Sequence, residues 1–261
     1  MAEGGNITEK SIQSGLIQAT QVAREAELRQ SPNGIRFASF GENTVEPADL
    51  ERVVQAVPAS IAAALHRKTY FFVPLALPEA RTAQSDPVPI SRRISPDETL
   101  IAPAYTTDFA DLAICHRNVA LDPPAKNNSS EGVFISTRLL SDRFSLAFEL
   151  FINVAHAFVD ETGVPESFSE LAWNQALADV RGETSIDAWE SRAQALSTPS
   201  GPGTAAAQAA SSPRIDEKFK TEFVAAAFSD AIAIYTLSLA TDFDYSELRE
   251  REYPLLAPQA L

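Results

Sequence analysis

The segment 142–160 is almost wholly apolar, and its few polar residues recur at helical spacing. At about 100° per residue, Glu149, Asn153, His156 and Asp160 lie within roughly 60° of one another on a helix. A helix that is apolar on its other faces is buried, and polar groups on a buried helix need hydrogen-bonding partners. The pattern therefore predicts a core helix with one polar line.

Strand patterns precede this helix, and helical patterns dominate after it. The predicted strands are 35–40, 69–77, 99–106, 111–121 and 132–136. The predicted helices besides the core helix are 7–30, 46–65, 167–181, 185–196 and 214–240. Strands first and helices second, without alternating strand–helix–strand units, predict an α+β fold. We expect a short mixed sheet in the N-terminal half and a helical C-terminal half.

Prolines and tryptophans refine this prediction. Pro58 is well placed to start a second helical segment within the predicted helix 46–65. Pro74 predicts a strand edge or a bulge in the strand 69–77. Trp173 and Trp189 occupy helical positions, and we expect both to anchor the core.

The domain boundaries are predicted from composition. We expect residues 1–45 to form an N-terminal helix and a connecting strand, and residues 46–261 to form the main domain. The segment 197–213 is rich in Gly, Pro and Ser, so we expect it to be mobile.

The charge balance limits the classes of partner. Lys and Arg number 21 against 35 Asp and Glu, a net charge of −14. Such a surface repels phosphate backbones and anionic lipid, so nucleic-acid and membrane partners are disfavoured. The N-terminus shows no basic start followed by an apolar run, and Asp230 at the centre of 223–240 favours a buried helix over a membrane span. We therefore expect a cytoplasmic protein.

Few residues are available for chemistry. The single cysteine, Cys115, excludes an intramolecular disulfide and a cysteine-based zinc site. The histidines are three, His66, His116 and His156. Cys115 and His116 are adjacent on a predicted strand and point to opposite faces, so they are not expected to act as a nucleophile and its base.

Three segments together resemble a family. FELFINVAHAFVDETG (148–163) resembles the active-site helix of zincin metallopeptidases, which carries the HExxH motif. FVAAAFSDAIAIYTLSL (223–239), followed by LREREYPLL (248–256), resembles the second metal-site helix of the anthrax-lethal-factor-like branch, and SFSELAWNQALADV (167–180) resembles the segment between them. The resemblance implies a zincin-like fold in which 142–160 is the central, active-site-type helix.

Most of the catalytic site that the resemblance implies is missing. His156 matches the second histidine of HExxH, but the first falls on Ile152, which cannot bind a metal. The catalytic glutamate falls on Asn153, whose amide is not a useful base. The third zinc ligand falls on Ala226, while Asp230 matches the acid that orients a ligand.

The first hypothesis is therefore a catalytically inactive zincin-like domain, a pseudo-metallopeptidase without a cofactor. Its role would be to bind or scaffold a protein or peptide partner. The facing helix contributes the polar residues Glu222 and Asp230. The polar line would then form a closed network of His156, Asp230, Asn153 and Glu149, in which Asp230 pairs with His156.

Two further hypotheses stay open. One is a metal-dependent hydrolase with a rearranged zinc site, whose ligands would be drawn from Glu149, His156, Glu222 and His116. The other is an acidic α+β protein-interaction module unrelated to the zincins.

Overall fold

The protein has an α+β fold, as its sequence predicts. The computed structural model describes residues 15–43, 45–78, 99–107, 115–121, 130–137, 143–180, 185–196 and 215–241. The chain divides into two compact units, Met1–Asn153 and Val154–Leu261. Both sheets belong to the first unit.

The first unit contains eight strands among its described residues. They are β1 (Ile17–Gln18), β2 (Arg29–Gln30), β3 (Arg36–Ser39), β4 (Lys68–Val73), β5 (Leu75–Pro78), β6 (Thr99–Ala102), β7 (His116–Ala120) and β8 (Glu131–Ser136). Its helices are α1 (Ala19–Glu25), α2 (Pro47–Gln55) and α3 (Ala59–Ala64), and α4 (Arg143–Thr162) begins in it. Strands from either side of position 45 share one sheet, while the predicted division into domains at that position stays a prediction.

The larger sheet is mixed, as expected. Its order is β2-β3-β4-β8-β7, with β4 parallel to both neighbours and antiparallel pairs at both edges. Parallel strands need a crossover connection, and α2 and α3 supply it between β3 and β4. The expectation that no strand–helix–strand unit occurs is therefore wrong at this point.

Prolines divide two of the predicted elements. Pro58 precedes α3 directly, so the predicted second helical segment is confirmed. Pro74 separates β4 from β5, which belong to different sheets, so the single strand predicted over 69–77 is wrong. Proline has no N–H group for a ladder, and the chain leaves the larger sheet there.

The described part of the predicted N-terminal helix, residues 15–30, is helical only in its middle. Helix α1 has seven residues, and Ile17 pairs in a strand with Ile101 of the three-stranded sheet β1-β6-β5. The part of the prediction over 7–14 lies outside the described residues.

One core cluster of the first unit lies between α1 and the larger sheet. Phe71 and Phe134 stack with ring centroids 4.7 Å apart, since they are register partners on β4 and β8. Val22 of α1 and Val119 of β7 belong to the same buried cluster.

The second unit is helical among its described residues. It contains the end of α4, then α5 (Glu166–Leu177), α6 (Ile186–Ala195) and α7 (Glu217–Thr241). Trp173 is buried against Phe223, as predicted. Trp189 is 47% exposed, so its predicted burial is wrong; α6 buries Ala188, Arg192 and Ala195 instead.

Some predictions lie outside the described residues. These are the mobility of 197–213 and the zincin-like tail over 248–256. Within the described part of the chain, one helix, Glu217–Ala240, is long and apolar enough to cross a membrane, and half of its apolar window is buried inside the protein. A buried helix passes the same test, so the expected location stays a prediction.

Candidate functional site

The first part of the polar line forms a hydrogen-bonded cluster in the first unit. The side-chain amide of Asn153 donates to the carbonyl oxygen of Glu149 at 2.8 Å and to Oε1 of the same residue at 3.0 Å. The thiol of Cys115 donates to Glu149 Oε1 at 2.7 Å. Helix α4 brings Glu149 and Asn153 together because residues four apart are neighbours on a helix.

The thiol of Cys115 is suited to donating a hydrogen bond and poorly suited to nucleophilic attack. Burial raises its pKa well above the ordinary value of 9.0, and the negative charge of Glu149 raises it further. The backbone of Ser136 and the charge of Arg117 oppose this shift more weakly. Because the thiolate is the reactive form, a thiol with a raised pKa is inert.

The second part of the polar line belongs to the other unit. His156 is buried, whereas Asp160 at the end of the line is exposed. Ile152, at the position of the first histidine of HExxH, is half-buried. The polar line therefore passes from the protein interior at His156 to the surface at Asp160, near the end of α4.

Asp230 on α7 anchors the beginning of α6. It is 2% exposed, and its Oδ2 accepts hydrogen bonds from both the backbone N–H and the hydroxyl of Ser185, each at 2.9 Å. The Ser185 oxygen in turn accepts the backbone N–H of Ala188 at 3.2 Å, which caps α6. A carboxylate near a helix N-terminus is also stabilised by the helix dipole. The predicted contact between Asp230 and His156 stays a prediction.

The alternative metal ligands have other local environments. Glu222 on α7 forms an ion pair with Lys218 at 3.8 Å, and Glu149 is engaged by Cys115. His116 lies on β7 by its backbone, and its side chain is outside the described structure. Among the described residues, no group of three or more His, Cys, Asp and Glu side chains could hold a metal ion.

A further polar cluster was missed by the sequence reasoning. Lys68 Nζ donates to Glu131 Oε2 at 2.5 Å and to Asn118 Oδ1 at 2.8 Å, and both charged side chains are buried. Its members lie on β4, β8 and β7, so no spacing along the chain reveals it. Ser185 was missed too, although a serine directly before a helical pattern is a capping signal.

Within the described residues, these contacts are suited to holding elements together. Asn153 uses its donors on its own helix, Glu149 holds Cys115, and Asp230 holds α6. Comparison with known proteins adds no family to this description: the chain matches no protein-family model, no curated protein and no solved structure.

Proposed function

We propose that this chain is a catalytically inactive, zincin-like domain that binds or scaffolds a protein or peptide partner. The observation that carries the proposal is the environment of Asn153, the position at which the resemblance expects the catalytic glutamate. The amide nitrogen of Asn153 donates to the carbonyl oxygen and to Oε1 of Glu149, which also accepts the thiol of Cys115. An amide cannot take a proton from water, and this one is held in a structural contact with its own helix.

The side chains at the other expected ligand positions support the same proposal. Ile152 and Ala226 carry no donor atom for a metal, so His156 is the one ligand that remains of the family set. A catalytic zinc site needs three protein ligands and an open position for water. The acidic surface favours a protein or peptide partner over nucleic acid or anionic lipid, and we propose a cytoplasmic location.

Metal analysis of the wild-type protein tests the loss of the site. We expect no stoichiometric zinc after loading with zinc and dialysis, and no hydrolysis of a peptide library. Stoichiometric zinc that disappears in His156→Ala would contradict the proposal and would favour the rearranged hydrolase site.

Restoring the motif tests the zincin-like part of the proposal separately. The variant Ile152→His/Asn153→Glu/Ala226→Glu carries HExxH on α4 together with the native His156, and it adds a carboxylate at the position of the third ligand. We expect it to fold and to bind one zinc ion per chain, more tightly than the matched control Glu170→His/Asn174→His, which places the same histidine spacing on an exposed face of α5. A folded variant that binds zinc no better than this control would contradict the zincin-like fold. It would favour the hypothesis of an interaction module unrelated to the zincins.

A further inference from the structure

Strand β7 contains one residue more than the part of β8 with which it pairs. His116 pairs with Phe134 and Val119 with Gly132, so two residues of β7 lie opposite one residue of β8. Such a β-bulge shifts the alternation of side chains between the two faces of a sheet. Asn118 in the bulge has φ 58°, a left-handed conformation that Asn adopts more readily than most residues.

The bulge explains where Cys115 lies. Cys115 and Val119 are four positions apart, and a regular strand would place both on the same face. Val119 belongs to the core cluster with Phe71 and Phe134, whereas Cys115 donates its thiol hydrogen to Glu149 of α4. The extra residue reverses the alternation between the two positions and so accounts for their different surroundings.

A buried ion pair contacts the bulge. Lys68 and Glu131 are register partners on the parallel strands β4 and β8, with side chains 2% and 7% exposed. Lys68 Nζ also donates to Asn118 Oδ1 at 2.8 Å. A buried ammonium group needs its hydrogen-bonding partners. The bond from Lys68 on β4 therefore restrains the side chain of Asn118 in the bulge.

We propose that the cluster of Lys68, Glu131 and Asn118 is a conformational device: by holding the bulge of β7 it sets the face on which Cys115 lies and keeps its thiol on Glu149. The proposal does not depend on the resemblance to zincins, because it follows from strand register. Lys68, Glu131 and Asn118 are positioning residues in this device, and Glu149 is the group that receives the positioned thiol.

The single cysteine makes the proposal directly measurable. An aromatic disulfide reagent reacts with Cys115 alone, and the rate under native conditions reports its protection. Asn118→Gly removes the bond to Lys68 but keeps the left-handed conformation accessible, whereas Asn118→Val removes the bond and also opposes that conformation. We expect both variants to react faster than the wild type, Asn118→Val by about tenfold or more, since β-branched residues are strained at positive φ. A folded Asn118→Val that reacts no faster than the wild type would overturn the proposal.

A second variant covers the case in which Asn118→Val does not fold. Lys68→Met/Glu131→Leu replaces the buried charges by apolar side chains and removes the restraint on Asn118. We expect a folded chain in which Cys115 reacts faster than in the wild type, and unchanged protection would contradict the proposal.

Hydrogen exchange on the wild-type protein decides if neither variant folds. The proposal requires the amides of β7, Lys68 and Glu131 to exchange in the same opening that exposes Cys115 to the reagent. Labelling of Cys115 through an opening that leaves Lys68 and Glu131 protected would overturn it.

Discussion

The anchoring of α6 by Asp230 leads to a quantitative prediction. Asp230 Oδ2 accepts two hydrogen bonds from Ser185 at 2.9 Å, and its carboxylate is almost fully buried. Hydrogen bonds to a charged group each contribute about 1.5–3 kcal/mol, so Asp230→Ala should lower the free energy of unfolding by about 3–5 kcal/mol. Ser185→Ala removes one of these bonds and the cap on Ala188, which together should cost about 2–5 kcal/mol.

A double-mutant cycle isolates the contact. The hydroxyl bond between Ser185 and Asp230 is lost in both single variants, so their effects should not add. We expect a coupling energy of about 1.5–2 kcal/mol from urea unfolding followed by far-UV circular dichroism. The matched control is Ser169→Ala, whose hydroxyl donates to the Pro165 carbonyl at 3.1 Å, and which should add to Asp230→Ala within about 0.5 kcal/mol.

The outcome of this cycle tests the reasoning about the site. A coupling below about 0.5 kcal/mol between Asp230 and Ser185 would refute the anchoring role. The same cycle with His156→Leu measures the contact between His156 and Asp230 that the sequence predicts. A coupling energy above about 1 kcal/mol would confirm that contact. Additive effects of the two substitutions would show that the two residues do not interact.

Three further predictions concern the first unit, and all are measured by urea unfolding. Tyr70→Phe should raise the free energy of unfolding by about 1 kcal/mol, because the hydroxyl is buried and no described residue hydrogen-bonds to it; a loss of stability would contradict this. The raised pKa of Cys115 means that the folded chain keeps a proton which the unfolded chain loses above pH 9.0, so stability should fall as the pH rises beyond that value. Cys115→Ser should remove this part of the pH dependence, and an unchanged slope would show that the thiol does not cause it. Gly41→Ala should lower the free energy of unfolding by about 1–2 kcal/mol more than Gly34→Ala. Both glycines have positive φ, but of the two only Gly41 would bring the new Cβ against a backbone atom, the Pro103 oxygen at 2.4 Å. Equal losses of stability would refute the steric part of this argument.

Local patterns were sufficient to predict part of this structure. The core helix was predicted over 142–160 and extends over Arg143–Thr162, because an apolar run of that length with helical spacing has few alternatives. The contact between Glu149 and Asn153 follows from the same spacing. The break before α3 follows from Pro58 alone.

Contacts between distant residues were beyond the reach of those patterns. Ile17 continues the helical periodicity of its segment, yet it pairs in a strand with Ile101, and pairing of this kind overrides helix propensity. Cys115 contacts Glu149 next to a bulge in β7, and Lys68, which bonds to that bulge, is distant from it in sequence. Trp189 was predicted as buried from its residue type, but the face that α6 buries is set by α6's small residues and Arg192.

The same distinction determines which residues can test the zincin relationship. Burial alone selects Phe, Leu, Ile and Ala at helical spacing, so the apolar matches in α4 and α7 require no common origin. Buried His156 and Asp230 are different, because burial disfavours both unless each has a partner. The hydrogen bond from Ser185 explains why Asp230 is buried, and this explanation requires no metal site. The relationship therefore depends on His156, and the cycle between His156 and Asp230 measures whether these two matched residues still act together.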